Sequence, residues 1–369
     1  MEDPGQSVPP KPAPPPILYA PAPPARSGRG WKYLALILLL LLVLGSLSSL
    51  QRFVSGALDL DLAGDGPGSQ LNEVVVESHG ATDKIAIVEV QGVIYGGYLS
   101  AGGLNMVSHV REALDRAAKD ERVRAVVLRI DSPGGEVLAA DDMSRAIAAF
   151  QEDSGKPVVA AMEGLAASGG YYIAAPCRWI LANPLTITGS IGVIMHGYNY
   201  RGLMDKIGVR PEVFKSGRFK DAMRSDKADD EILPEERAMM QELIDTTFDR
   251  FKDVVRKGRQ RAAEKNRGVG RELVEQWEDF ADGRVLLGEK AFELGFVDEL
   301  GTFEDAVARA KSLAGILQAN LIRYEAPLRL GGLLRLLGKA PAGEVKLDLG
   351  LRLPRIEAGR PYALYLPAN

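Results

Sequence analysis

Two strand-like apolar runs that each stop at a glycine-rich turn constrain this chain more than any other feature. Arg124-Ala-Val-Val-Leu-Arg-Ile130 leads into Asp131-Ser-Pro-Gly134-Gly135, and Pro157-Val-Val-Ala-Ala-Met162 leads into Gly164-Leu-Ala-Ala-Ser168-Gly169-Gly170. A third run, Ile85 to Val93, precedes them. Helical spacing over Val107–Lys119 and Met143–Glu152 separates the three. Strands alternating with helices predict an α/β fold, a mainly parallel sheet with flanking helices. A longer helix opens at Leu233-Pro-Glu-Glu, with proline in its first turn and acids beside the positive end of the dipole. Its apolar stripe runs through Met240, Leu243, Ile244, Phe251 and Val255 to about Lys257, and is read as core or subunit packing.

The flanks obey different rules. Residues 1–30 hold ten prolines, which oppose helix and sheet pairing, so a disordered arm is expected. Residues 31–50 hold one charge, Lys32, around the unbroken apolar run Leu34–Leu44, and about 20 predominantly apolar residues span a bilayer as a helix. Lys11, Arg26, Arg29 and Lys32 precede the run, whereas Asp59, Asp61 and Asp65 follow it after Arg52. That asymmetry predicts a single-pass anchor with a cytoplasmic N-terminus. Residues 51–83 are then a linker, 84–315 the folded domain, and 316–369 a C-terminal extension whose Leu328–Leu337 stretch is basic and amphipathic.

Composition removes several function classes. The formal net charge is −4, and no Lys/Arg run or RNA-type aromatic motif supports a nucleic-acid partner. His79, His109, His196 and the single Cys177 have no metal-ligand spacing, so neither metal nor cofactor is expected. Cys177 reads as a small buried apolar residue.

The two turns carry the chemistry. Their small residues leave backbone N–H groups open to an oxyanion, as acyl transfer requires. Ser168 is the hydroxyl in the second turn. Taken alone it looks like a helix N-cap, the commonest use of serine there. As a nucleophile it would need a base. His196 remains open on residues alone. So do Lys215 and Lys220 in Phe214-Lys-Ser-Gly-Arg-Phe-Lys220-Asp221, provided that the amine loses its charge.

Five motifs in order resemble bacterial signal peptide peptidase A (SppA), in its short single-repeat form. They are Asp131-Ser-Pro-Gly-Gly, Ala166-Ala-Ser168-Gly-Gly-Tyr-Tyr-Ile-Ala, Thr188-Gly-Ser190-Ile-Gly-Val, Lys215-Ser-Gly-Arg-Phe-Lys220-Asp221, and the segment Asp282–Gly301. The resemblance covers about residues 84–315. It implies a Clp/crotonase-type fold and a membrane-anchored serine endopeptidase with Ser168 as nucleophile and Lys220 as general base. It further implies that Ser190 orients the lysine and that the N–H groups of Gly135 and Gly169 form the oxyanion hole. Relatives assemble as octameric rings in which a neighbour supplies the lysine. Their substrates are remnant signal peptides and other unfolded apolar segments. The resemblance thus implies a protease domain on the periplasmic side of a bacterial inner membrane. Leu286-Leu287 departs from the Trp and small hydroxyl residue often found there, a difference of packing. A crotonase-like acyl-CoA enzyme or an inactive protease-like membrane scaffold are the alternatives. The paired Ser168 and Lys220 motifs favour the peptidase.

Overall fold

The apolar runs become strands because both of their faces are covered. The computed structural model describes residues 71–97 and 105–326 and the backbone of 362–364, all within the unit Gly66–Asn369. Along β1 (Asn72–Glu77), β2 (Lys84–Gln91) and the helix α1 (Met106–Lys119) the chain sets up one side of the sheet. It then crosses to β3 (Val123–Ser132), turns through the short β4 (Gly134–Glu136) and enters α2 (Val137–Ser154). The next crossover delivers β5 (Val158–Ala167), followed at once by the six-residue α3 (Gly169–Ala174).

The strands β6 (Trp179–Ala182), β7 (Ile187–Gly189), β8 (Val285–Leu287) and β9 (Glu299–Leu300) extend the sheet. Between β7 and β8 lie α4 (Arg201–Ile207) and the 32-residue α5 (Pro234–Lys265). The short α6 (Gly288–Glu293) follows β8, and α7 (Phe303–Ala314) leads to β10 (Asn320–Glu325). The main sheet runs β1-β10-β2-β3-β5-β6-β9, with β7 joined to β5 and β8 to β7. Pairings are parallel except at β1–β10 and β7–β8. The mainly parallel α/β architecture expected from the sequence is therefore the one that forms.

Side chains alternate between two cores, as strand geometry demands. Ala86, Val88 and Val90 of β2, Val126, Leu128 and Ile130 of β3, and Val158, Ala160 and Met162 of β5 enter the larger core, with residues of α1, α2, α3 and α5. Their sequence neighbours Ile85, Ile87, Ala125, Val127, Val159 and Ala161 enter the smaller core with Ala306, Val307 and Ala310 of α7. A strand buried on both faces reads as a continuous apolar run. Local capping sharpens the helix starts: Asn105 Oδ1 accepts the Ser108 N–H at 2.7 Å, and Thr302 forms a reciprocal box with Asp305.

The body is larger than the 84–315 span. β1 lies in the expected linker and β10 in the expected extension, yet both join the sheet. Leu321, Ile322 and Tyr324 are buried there, so β10 contributes core that local polarity concealed. The strand β11 (Tyr362–Leu364) also belongs to that extension. It pairs antiparallel with β4, placing Ala363 opposite Gly135. The predicted arm and membrane helix, residues 1–50, lie outside the described residues, as does the amphipathic 328–337 stretch. Among the described residues no helix is long and apolar enough to cross a membrane. Those residues also contain no His/Cys/Asp/Glu group able to hold a metal ion.

Ile130 is fully buried on β3, just before the first glycine turn. Ile130→Ala is expected to destabilise the purified chain by about 2–5 kcal/mol, the range for emptying a well-packed site. Urea unfolding followed by far-UV circular dichroism would measure it.

Candidate active site

Three adjacent strands end together, and their ends carry the residues singled out by the sequence. β5 pairs with β6 through Val159–Met162, then shifts and pairs with β7 through Leu165–Ala167. The same irregularity appears opposite β3, where Ile130 faces Met162 and Ser132 faces Ala166. The sheet therefore brings the ends of β3, β5 and β7 side by side. In an open α/β sheet, the carboxyl ends of parallel strands are where ligands bind.

Ser168 sits between β5 and α3 with φ 53° and ψ −116°. A non-glycine residue at positive φ costs on the order of 1–3 kcal/mol and survives only where surrounding structure enforces it. Here the Ser168 N–H donates to Gly189 O at 2.8 Å, and Ser168 O accepts the Tyr172 N–H at 2.8 Å. The hydroxyl does not cap the helix, although Ser168 occupies the N-cap position. Its Oγ is buried and, among the described residues, has no hydrogen-bond partner. A buried hydroxyl left unpaired costs about 1–3 kcal/mol. Neither His196, which is exposed, nor any other histidine bonds to it.

Backbone packing fixes what surrounds this hydroxyl. A Cβ on Gly170 would meet Ser132 O at 2.8 Å, so α3 lies directly against the end of β3. A Cβ on Gly135 would meet Ile94 O at 2.0 Å. That glycine is required because Ile94 grips the turn: the Ile94 N–H donates to Gly134 O and the Glu136 N–H to Ile94 O, both at 2.8 Å. Ser132 Oγ accepts the Gly134 N–H at 3.1 Å. Groups alternate along a strand, so the N–H and C=O of Gly135 face the opposite edge. The chain's own β11 pairs along that edge. Gly169 opens α3, and its N–H is among the amides with no acceptor inside a helix.

The tyrosines after Ser168 anchor α3. Tyr171 O–H donates to Phe296 O at 3.0 Å, and its ring meets Phe296 edge-on at 5.7 Å. Tyr172 O–H donates to Asp141 Oδ1 at 2.7 Å, and its ring lies 4.7 Å from Phe251 of α5. Burial pushes both phenols above the ordinary tyrosine range, so they stay neutral donors. Cys177 is buried as expected, and burial likewise raises its thiol.

Ser190 follows β7 as Ser168 follows β5, one strand away, and it too has positive φ, 50°. Its N–H donates to Arg284 O at 2.7 Å. Lys220 lies elsewhere, in an exposed turn of the 192–235 segment. The structure gives it no hydrogen bond to Ser168, and among the described residues its amine has no partner. Lys215, the other lysine of that motif, is committed: its Nζ donates to Asp221 Oδ1 at 2.6 Å and to Arg218 O at 3.2 Å. Within one chain, then, the structure gathers Gly135, Ser168, Gly169 and Ser190 and leaves Lys220 outward and free. Ser132 and the Ile94 backbone also shape the site. The residues signalled neither role, because both depend on a contact between distant strands.

Residues 150–317 match the model of peptidase family S49. A Synechocystis sp. protein named as a protease is 41% identical over 233 residues, which covers 63% of this chain and 75% of that protein. A protein of Enterococcus faecium named as signal peptide peptidase SppA is 34% identical over 264 residues, covering 70% of this chain and 71% of its own. Protease 4 of Salmonella typhi is 36% identical over 244 residues, 65% of this chain and 36% of that longer protein.

The strain at position 168 is open to measurement. Ser168→Gly should unfold at higher urea than Ser168→Ala, by about 1 kcal/mol, because glycine accepts positive φ and alanine does not. Equal stabilities would mean that the backbone is not strained there.

Proposed function

The chain belongs to peptidase family S49 and is a serine peptidase, and we propose that Ser168 is its nucleophile and Lys220 its general base. The observation that carries this reading is the Ser168 hydroxyl. It is held at a strained backbone position, buried and, among the described residues, unpartnered, directly before Gly169 in a turn packed against the end of β3. In this reading the neutral Lys220 amine takes the Ser168 proton as Oγ attacks a peptide carbonyl. The N–H groups of Gly135 and Gly169 hold the oxyanion. The protonated lysine then gives its proton to the leaving amine, and an acyl-enzyme remains on Ser168. Lys220 next activates the water that releases the acid and restores the serine. Ser190, at the neighbouring strand end, would orient the lysine.

We further propose that the lysine reaches Ser168 from a second copy, in a ring of the octameric kind. The 192–235 segment supports this. Lys220 is free and exposed there, and Phe214 (95% exposed), Tyr198, Leu203 and Ile207 turn apolar surface outward. Exposed apolar surface of that extent marks a contact. Leu243 of the α5 stripe is exposed as well, which fits the subunit-packing reading of that stripe.

Substrates in this reading are extended apolar peptides, remnant signal peptides among them. The pairing of β11 with β4 supports an edge that accepts a peptide strand in antiparallel register. The Enterococcus relative's name favours the same class. Residues 31–50 would anchor the chain in a bacterial inner membrane, N-terminus in the cytoplasm and protease domain outside. The same resemblance supports a Clp/crotonase-type body.

Ser168→Ala and Lys220→Ala should each abolish cleavage of an apolar reporter peptide. Co-assembly of the two inactive variants in equal amounts should restore about one quarter of wild-type activity, since about one interface in four pairs an intact serine with an intact lysine. Full activity in either single variant would remove that residue from the mechanism. Inactive singles that never complement would place both groups in one subunit.

A further inference from the structure

The segment that carries Lys220 has almost no core of its own. From residue 192 to residue 235, Lys227 is the one buried residue, 3% exposed. No residue of α4 is buried, and residues 212–220 are all exposed. Apolar packing therefore cannot be what sets the position of this lysine's backbone within the chain.

An ionic knot occupies the place of a core. Lys227 Nζ donates to Glu236 Oε1 at 2.5 Å and lies 3.4 Å from Asp221 Oδ1. Asp221 directly follows Lys220. It also receives Lys215 Nζ at 2.6 Å and stands 3.9 Å from Arg224. Glu236 is buried in the first turn of α5, whose later residues Phe251 and Val255 lie in the main core. The Lys227 carbonyl accepts from Asn199 Nδ2 at 2.9 Å, and Ser225 O accepts the Tyr200 N–H at 2.8 Å, so the stretch around Lys227 is also tied to the start of the segment. A continuous path thus runs from the core through α5, Glu236, Lys227 and Asp221 to the peptide bond next to Lys220.

We infer that Lys227, with Glu236 and Asp221, is a positioning residue for the general base: it fixes the backbone of Lys220 so that the free amine is presented in one geometry. This rests on the Ser168/Lys220 reading. Burial works against the Lys227 ammonium, but its hydrogen bond to Glu236 and the charges of Glu236 and Asp221 outweigh that and hold it above the ordinary lysine range. Lys227 is therefore a charged member of the knot at neutral pH. The knot also spends the Asp221 carboxylate on Lys215, Lys227 and Arg224. A carboxylate beside a lysine that must act neutral would otherwise favour the charged amine. Ion pairs are a poor way to gain stability, and their better-attested use is to specify one arrangement over others.

Four variants of the full-length chain test this. Each is assayed for kcat and KM on an apolar reporter peptide, for unfolding midpoint, and for assembly mass in detergent. Asp221→Asn should lower kcat at least about tenfold with KM and assembly mass unchanged, since a positioning fault acts on the reacting group and not on uniform binding. Lys227→Met should do the same with a loss of stability. The double variant Lys227→Met/Glu236→Leu removes the stranded acid as well. It should recover the unfolding midpoint and still keep the low kcat, because Asp221 remains unanchored. Recovery of kcat together with stability would overturn the inference, since the knot would then be structural support only. So would an activity loss that tracks dissociation of the assembly. Lys220→Ala is the control. If it stays active, the base assignment itself fails. If it is inactive while Asp221→Asn and the double variant keep wild-type kcat, the positioning role alone fails.

Discussion

The site depends on a backbone held where it would not go by itself. Ser168 takes positive φ between the last residue of β5 and the first of α3. Its N–H is tied to the end of β7 and its carbonyl to α3. The hydroxyl consequently points away from the role that serine usually fills at a helix start. Everything that fixes α3 then serves the hydroxyl: Gly170 against Ser132 O, Tyr171 on Phe296, Tyr172 on Asp141, and Gly258 of α5 against Ala175 O, where a Cβ would lie 2.4 Å away. Strain of this kind persists only when surrounding contacts over-determine it. The density of contacts around α3 supplies that condition.

The convergence of strand ends follows from the two-sided burial of the sheet. Long apolar runs of β2, β3 and β5 must be covered on both faces, which requires a helix after each strand and makes neighbours parallel. Parallel strands deliver their ends to one edge of the sheet. The break in β5 between Met162 and Leu165 then exchanges one neighbour, β6, for another, β7. That exchange puts Ser190 beside Ser168. Had β5 stayed paired with β6 to its end, the Thr188-Gly-Ser190 turn would lie away from Ser168.

The residues proposed for the site divide into a rigid group and a projecting one. Apolar packing and backbone hydrogen bonds hold Gly135, Ser168, Gly169 and Ser190. An exposed segment organised by charge carries Lys220. In the proposed reading this division bears on the chemistry, because a lysine that acts as a base must lose its charge, and an exposed amine does so only once something covers it. It also separates two lysines that the residues left equal. Lys215 is engaged by Asp221, and Lys220 is not engaged by anything described.

Much of this was legible in the residues. The apolar period of β2, β3 and β5, the prolines and glycines of the two turns, and the proline at the start of α5 are local signals with local causes. They determined the α/β class, the strand–turn–helix order, and the placing of Ser168 and Gly135 at strand ends. Other features could not be read that way. β1 and β10 were taken for linker and tail because each is short and partly polar, and their pairing spans about the whole length of the domain. The need for glycine at 135 and 170 comes from Ile94 and Ser132, residues far off in the chain. Lys227 and Glu236 look like surface charges until the fold buries them against each other. Sequence by itself decided the α/β class and elements such as β2, β3, β5, α1 and α5, since these follow from nearest neighbours and their periodicity. Only tertiary structure decided that Ser168 would have a strained backbone and a buried hydroxyl, and that among the described residues neither this hydroxyl nor the Lys220 amine would find a partner, because both are set by contacts between segments that the chain order keeps apart.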